Sequence, residues 1–452
     1  MDAKDFVALA LADAWLAEPA GQDFTGRATV LFGQPHPWIP RLARRIKRQF
    51  GTTEHYDRRT ALAQFIRADD GYTTAWSSYA KPRLRQYVFA TPQMRLQSAW
   101  LSTAKLPPLA TCGALAEWLG LTTEELAWFA DTRGMNRTAT GKLNHYQYQW
   151  RKKRSGQYRL IESPKERLRA IQRKILTGIL NQVPPHDAAH GFRRQRSCLS
   201  FVAPHIGKDC VLRMDLCNFF GTITAARIHA LFRALGYPMA PARLLTGLCT
   251  HSLPQQFIDQ LHTAGIELSW AERRAYQAPH LPQGAPTSPA LANLCAYGLD
   301  VRLSALVAKH GADYTRYADD IAFSGGGAFK SQAADISTFV AVVAQEEGFA
   351  VNFRKTRRMP TSQRQQLTGI ILNKKPNVRR TDYDALKAIL HNCQQGDPAS
   401  QNRSRHPDFR AHLLGKINYV KQINPQRGTK LLTLYSEITW PENPSQTAPE
   451  QP

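Results

Sequence analysis

Two aspartates stand side by side in YTRYADDIAFSG (residues 314–325), and a third, Asp215, closes the apolar run VLRMD. Adjacent carboxylates repel each other, a cost that a bound cation removes. Asp215, Asp319 and Asp320 brought to one place would form a hard-oxygen donor set suited to Mg²⁺. A pair of such ions suits phosphoryl transfer, one activating the attacking oxygen and the other stabilising the leaving one. Aspartates at a hairpin tip also serve as plain turn formers. The apolar flanks, the repulsion within the pair and the third carboxylate at the end of another buried run favour the metal reading.

The elements that must position these carboxylates are short strands. Residues 314–317 and 321–323 are strand-like, and Ala318-Asp319 forms the turn between them. CVLRMDLCNFF predicts a buried strand bearing Asp215. WRKKRSGQYRLIESP predicts a hairpin turning at Ser155-Gly156. KERLRAIQRKILTGIL predicts an amphipathic helix with Leu168, Ile171, Ile175 and Leu176 on one side. LANLCAYGLDVRLSALVAKHG predicts one long helix and ADISTFVAVVAQEEGF another, so the centre alternates helix and strand in an α+β pattern. LATCGALAEWLGLTTEELAWFAD predicts a helical hairpin, its first helix ended by Gly120 and its second capped by Thr122 or Thr123. Residues 1–95 mix helical patches with a turn-rich break, GQPHPWIP. The last residues, 441–452, are Pro-rich and polar, the composition of a disordered tail.

The 452 residues predict two to four modules. Lys and Arg number 59 against 35 Asp and Glu, a net charge of +24. That excess points to a polyanionic partner, nucleic acid or a membrane surface. It is clustered, with ten cations between Arg151 and Lys174 and a second group in PRLARRIKRQF, residues 40–50. A solvated helix face is the plain alternative for either. No run of 18 apolar residues marks a membrane span. Asp2, Asp5 and Asp13 stand where a secretory signal would be basic. Seven cysteines are scattered without a C-x-x-C pair, so their spacing gives neither a disulfide framework nor a zinc site. Reduced thiols in a cytoplasmic protein are expected.

The Tyr-Ala-Asp-Asp box resembles the catalytic box of reverse transcriptases. MDLCNFF resembles the family's first catalytic strand, LPQGAPTSPALANL its template and nucleotide segment, and GFAVNFRKT and QQLTGIILN its next two blocks, all in the family's order. HGFRRQRS and RLIESPKERLRAIQ resemble the fingers blocks of its bacterial, retron-type members. The resemblance covers roughly residues 96–430. It implies a right-hand polymerase fold with a helical hairpin and fingers over 96–205 and a palm of antiparallel sheet and helices over 206–375. A helical, RNA-binding thumb would follow over 376–440, with residues 1–95 as an N-terminal extension.

The same resemblance assigns roles. Asp215 and Asp319 would be the principal ligands of two Mg²⁺ ions, with Asp320 beside them. Phe220, five residues after Asp215, matches an aromatic ring under the sugar that excludes a 2′-hydroxyl and favours dNTPs. Core packing is its other reading. Gln283 and Gly284 match residues that contact the incoming nucleotide, although Gly284 also reads as a turn glycine. Lys153 and Arg159 would grip the triphosphate. Lys355 matches a lysine that protonates the leaving pyrophosphate, with a surface lysine as the alternative.

Within the family, retron enzymes carry a Val-Thr-Gly block, matched here by Leu367-Thr368-Gly369. They also carry an Asn-Ala-x-x-His block, of which His205 is present while Phe201 and Val202 replace Asn and Ala. The chain looks most like the longer myxobacterial-type enzymes. That implies a structured noncoding RNA as template and primer, dNTPs as substrates and branched multicopy single-stranded DNA as product. Anti-phage defence with an accessory effector is implied too. Another bacterial reverse transcriptase, defence-associated or group II intron-like, without a branched product is the alternative. A non-catalytic RNA-binding scaffold would not need the three aspartates.

Overall fold

The structure, a computed structural model, describes residues 2–17, 23–51, 59–78, 81–87, 92–94, 104–138, 141–152, 158–263 and 268–440. The chain forms two compact units, residues 1–94 and 95–452.

The first unit is a helical bundle. Helix α1 (Ala3–Leu16) starts at Asp2, whose carboxylate accepts from the Asp5 N–H, and buries residues on every side. A helix apolar all round belongs at the centre of a bundle. Around it lie α2 (Phe24–Phe32), α3 (Ile39–Phe50), α4 (Arg59–Ala68) and α5 (Asp70–Ser77). Leu11, Trp15, Leu31, Leu42, Ile46, Leu62 and Ile66 make its core. The buried Asp13 is held by Arg59 through two bonds, 2.6 and 2.7 Å.

The second unit opens with the expected helical hairpin. Helix α6 (Cys112–Leu119) ends on Gly120 at φ +75°, and α7 (Thr123–Phe129) begins with a Thr122/Glu125 capping box. Strands β1 (Tyr146–Lys152) and β2 (Tyr158–Pro164) pair antiparallel. Their expected turn at Ser155-Gly156 lies outside the described residues, as does the tail 441–452. Helix α8 (Glu166–Gly178) buries Leu168, Ile171 and Ile175 as its periodicity predicts, whereas Leu176 is only half-buried and Gln172 is buried beside the three. After α9 (Cys198–Val202) and β3 (Cys210–Asp215) come α10 (Ala225–Ala234), α11 (Met239–Cys249), α12 (Gln255–Thr263) and α13 (Trp270–Gln277).

The expected long helix over 291–311 is two helices, α14 (Ser288–Cys295) and α15 (Tyr297–Ala308), bent by 47°. The bend falls beside Gly298, where a Cβ would come within 2.8 Å of the Glu347 carboxylate. Glycine at such a place permits close approach and a kink. Among the described residues no single helix is long and apolar enough to cross a membrane.

A hairpin of β4 (Asp313–Tyr317) and β5 (Asp320–Gly325) follows, then α16 (Gly327–Glu346) and β6 (Arg357–Pro360). These strands and β3 form one antiparallel sheet in the order β4-β5-β3-β6. Phe329, Ala333, Ile336, Val340 and Ala344 form the buried stripe of α16, which packs on β3 and β5. A small hairpin, β7 (Gln366–Leu367) and β8 (Ile370–Ile371), turns at Thr368-Gly369, both at positive φ. Helices α17 (Arg380–Gln395), α18 (Phe409–Ile423) and α19 (Pro425–Ser436) close the unit. Their Leu386, Leu390, Leu413, Ile417 and Leu431 share a core with Val211 and Ala322 of the sheet.

Candidate active site

Strand β3 is central in the sheet, so Cys210, Val211, Leu212 and Met214 are all buried. It ends on Asp215, which the antiparallel register sets directly opposite Asp320. Asp319 sits in the two-residue turn of the β4–β5 hairpin. Its carbonyl accepts from the Leu216 N–H at 2.9 Å, which fastens the turn beside Asp215. Ala318, the other turn residue, has φ +56°, a strained value for a residue with a side chain. Two contacts hold it there. Arg316 Nη1 donates to its carbonyl at 3.3 Å, and Gly191 lies so near that a Cβ would come within 2.7 Å of the Ala318 nitrogen.

Beneath the turn lies an ion pair that sequence reasoning missed. Arg316 and Asp300 are both fully buried and meet through two bonds, 2.7 and 2.6 Å. Arg316 also donates to Asn293 Oδ1 at 3.0 Å, while Asn293 Nδ2 donates to the Gly191 carbonyl at 2.9 Å. The Tyr314 hydroxyl donates to Asp300 at 2.8 Å. Burial works against the Arg316 charge, and Asp300 outweighs it and raises the guanidinium above its ordinary value. This network joins α14, α15, the Gly191 loop and β4 behind the carboxylates.

Burial and then the charge of Asp215 push Asp319 above the usual carboxylate range. Asp320 is pushed up by burial and pulled back by Arg213. Arg213 grips both Asp320 oxygens at 2.6–2.9 Å. Asp320, expected beside the two principal ligands Asp215 and Asp319, is thus engaged by a guanidinium in this structure. Arg213 is two residues before Asp215 on the strand, hence on the same face, and it takes Asp320 for itself. Among the described residues no three His, Cys, Asp or Glu side chains converge as a ready-made metal cluster. What fits a divalent cation is the pair Asp215 and Asp319, two hard-oxygen groups whose mutual repulsion is only partly relieved. The ammonium of Lys355, 2.7 Å from Asp215 Oδ1, already serves as a counter-charge there.

The other expected residues fall as follows. Phe220 is half-buried, with Phe219 at 5.6 Å and the exposed Phe192 at 6.2 Å between ring centres. Phe192 also approaches Tyr317 of the carboxylate hairpin at 6.4 Å. Gly284 has φ +142°, and a Cβ there would lie 2.8 Å from the Glu162 carbonyl oxygen, so both its conformation and its surroundings require glycine. The Gln283 carbonyl accepts from the Glu162 N–H at 2.9 Å, which ties this segment to β2. Arg159 is exposed on β2. Lys153 lies outside the described residues. His205 is fully buried between Ser324 Oγ and Thr315 Oγ1, at 2.6 and 2.7 Å, and burial drives it down to about 3, so it is neutral. Phe201 and Val202, in place of Asn and Ala, are core residues.

A second buried pair fixes the β1–β2 hairpin to the Gln283 segment. His280 Nε2 is 3.0 Å from Glu162 Oε2, and both side chains are almost completely enclosed. Burial lowers the His280 pKa, and Glu162 overcomes this to raise it above its ordinary value. A histidine so raised stabilises the fold fully below its unfolded pKa, and the contribution fades as pH climbs through the folded value. Glu162→Gln is expected to cost roughly 3 kcal/mol at pH 6, and clearly less at pH 9. Urea midpoints at the two pH values check this, and an equal loss at both would contradict it.

Residues 151–372 match the family described as reverse transcriptase (RNA-dependent DNA polymerase). The chain is 37% identical over 294 residues to the Retron Mx65 reverse transcriptase of Myxococcus xanthus, covering 64% of each chain. It is 34% identical over 359 residues to the Retron Mx162 reverse transcriptase of the same organism, covering 76% of this chain and 70% of that one. The Retron Ec86 reverse transcriptase of Escherichia coli is 27% identical over 281 residues, 62% of this chain and 76% of its own. The chain thus spans about two thirds of the Myxococcus relatives.

Proposed function

The chain belongs to the retron reverse transcriptases, and on that premise we propose that it is an RNA-directed DNA polymerase acting on a structured noncoding RNA. The observation that carries this reading is the pair Asp215 and Asp319, fastened together at the end of β3 beside Lys355. In the proposal, the sheet β4-β5-β3-β6 with its covering helices is the palm, the β1–β2 hairpin the fingers, and α17–α19 the thumb.

Asp215 and Asp319 would hold two Mg²⁺ ions, which would supply charge neutralisation at the attacking and leaving oxygens. Asp320, held by Arg213, keeps the hairpin in register and contributes negative field without direct ligation. Arg159 and Lys153 draw the triphosphate to the hairpin, and the exposed backbone of Gly284 lets the nucleotide approach closely beside Gln283. Lys355 holds the Asp215 carboxylate in place and would donate a proton to the departing pyrophosphate. Exposed cations of the thumb helices, among them Lys387, Lys416 and Lys421, meet RNA phosphates.

Phe220 selects the sugar. Phe220→Ala is expected to raise rNTP use relative to dNTP by up to about 10²-fold, the discrimination a lone hydroxyl allows. Steady-state efficiencies for the two substrates check it, and an unchanged ratio would make Phe220 a packing residue.

In the finer proposal the primer is a guanosine 2′-hydroxyl of the same RNA, the product is branched single-stranded DNA, and the setting is anti-phage defence with an accessory effector. Isolated nucleic acid treated with a debranching enzyme is expected to release DNA of smaller size. DNA that never shifts, or that carries an ordinary 3′,5′ junction, would favour the second reading, a reverse transcriptase without a branched product. That second reading draws on Phe201 and Val202, which stand in the core where retron enzymes carry Asn and Ala.

A further inference from the structure

The first unit carries a surface that the proposed reaction does not use. The twelve residues of α3 separate by face. At about 100° per residue, Ile39, Leu42 and Ile46 share one side and are buried in the unit's core. Arg41, Arg44 and Arg48 share the opposite side, with Lys47 at its edge, and all four are exposed. The helix holds five cations and no acid. Four of the unit's aspartates are engaged by other cations: Asp2 and Asp5 by Arg67, Asp13 by Arg59, and Asp69 by Arg45. Arg45 is thus the one α3 cation with an ion pair among the described residues. Arg41, Arg44, Lys47 and Arg48 have neither an ion pair nor a side-chain hydrogen bond there.

Like charges three and four residues apart destabilise a helix, a cost that a bound polyanion would relieve. The chemistry of this face narrows which one. A lipid surface is bound by helices that insert an apolar face, and the apolar face of α3 is already inside the core. Single strands are bound by aromatic platforms set among cations, and the exposed positions between these cations carry no ring. A row of cations along about 10 Å of helix, the rise over seven residues, suits the phosphates of a duplex.

We propose that the exposed face of α3 is a docking surface for the phosphate backbone of double-stranded RNA, the base-paired part of the RNA that this enzyme copies. This rests on the reading of the chain as an enzyme working on a structured RNA. The surface gives affinity through phosphates rather than sequence, and it is separable from polymerisation.

The test uses the full chain and the variant R41A/R44A/K47A/R48A, with circular dichroism melts to show that the exposed substitutions leave the fold intact. The probe is an RNA hairpin with a stem of about 20 base pairs, chosen to exceed the span of a duplex-binding module. Binding is measured over a range of salt. The expected result is a slope of log affinity against log salt that is shallower by about 2–4 in the variant, close to one unit per lost phosphate contact. Single-stranded DNA of equal charge should bind both proteins alike, and so should vesicles of phosphatidylserine and phosphatidylcholine. An unchanged slope on the hairpin overturns the proposal. So does a loss as large on single-stranded DNA, on vesicles or on polyglutamate. Extension of a DNA primer annealed to a short unstructured RNA should be equal in the two proteins. If the wild type fails to extend that primer, the polymerase reading fails while the hairpin result stands by itself.

Discussion

Asp319→Asn is expected to lower dNTP incorporation by about 10³-fold or more, while affinity for RNA stays within about twofold of wild type. Several kcal/mol of transition-state stabilisation depend on paired carboxylates holding charge at the reacting phosphate, and each 1.36 kcal/mol is about tenfold in rate. The substitution keeps the shape of the turn, because the Asp319 contact to β3 is made by its backbone carbonyl to the Leu216 N–H. RNA affinity comes from cations elsewhere and has no reason to fall. Asp215→Asn should be as damaging and should also release Lys355, its partner at 2.7 Å. Single-turnover incorporation in Mg²⁺ beside filter-binding of the RNA checks both, and a near wild-type rate would remove the carboxylate pair from the mechanism.

The second large effect concerns stability. Asp300→Asn or Arg316→Met leaves one buried partner of the ion pair alone, which costs about 3–5 kcal/mol. The urea midpoint should fall accordingly at constant slope. The double variant Asp300→Leu/Arg316→Met removes both charges and should recover most of that loss, since buried ion pairs are replaceable by apolar groups of similar volume. It should not recover polymerisation. Without the guanidinium the Ala318 carbonyl loses the bond from Arg316, and the turn carrying Asp319 loses a support for its left-handed conformation. Single variants that lose less than about 1 kcal/mol would show the pair to be dispensable.

Much of this site was readable in the sequence because its signals are local. Asp319 in a two-residue turn, Asp215 at the end of an apolar strand, and the Gly120–Thr122 junction of the helical hairpin all follow from residues a few positions apart. What stayed hidden depends on distant partners. Nothing around Arg316 names Asp300 as its counter-ion, since a charged residue inside a strand pattern reads as solvent-facing until the fold encloses it. Arg213 was closer to view. Strand alternation sets it on the face of Asp215, yet its choice of Asp320 needs the β3–β5 register. The break in the helix over 291–311 is accompanied by the approach of Glu347 to Gly298, and buried His205 finds its partners in Thr315 and Ser324, all distant in sequence. Residues 1–95 gave no functional signal beyond charge, because a helical bundle is specified by packing and not by a motif.

The sheet order carries a consequence for synthesis in the cell. Among the described residues, strand β3 pairs with β5 and β6 and with no strand made before it. Its buried apolar run must leave the ribosome well before β5 exists, because Asp215 and its partner Asp320 are 105 positions apart. At about 5–20 residues per second, the nascent chain carries an unpaired hydrophobic strand for roughly 5–20 s. Such an edge attracts other strands, in the same chain or in another. Slowed initiation and chaperone supply should therefore raise the yield of folded enzyme more than any change at the catalytic residues.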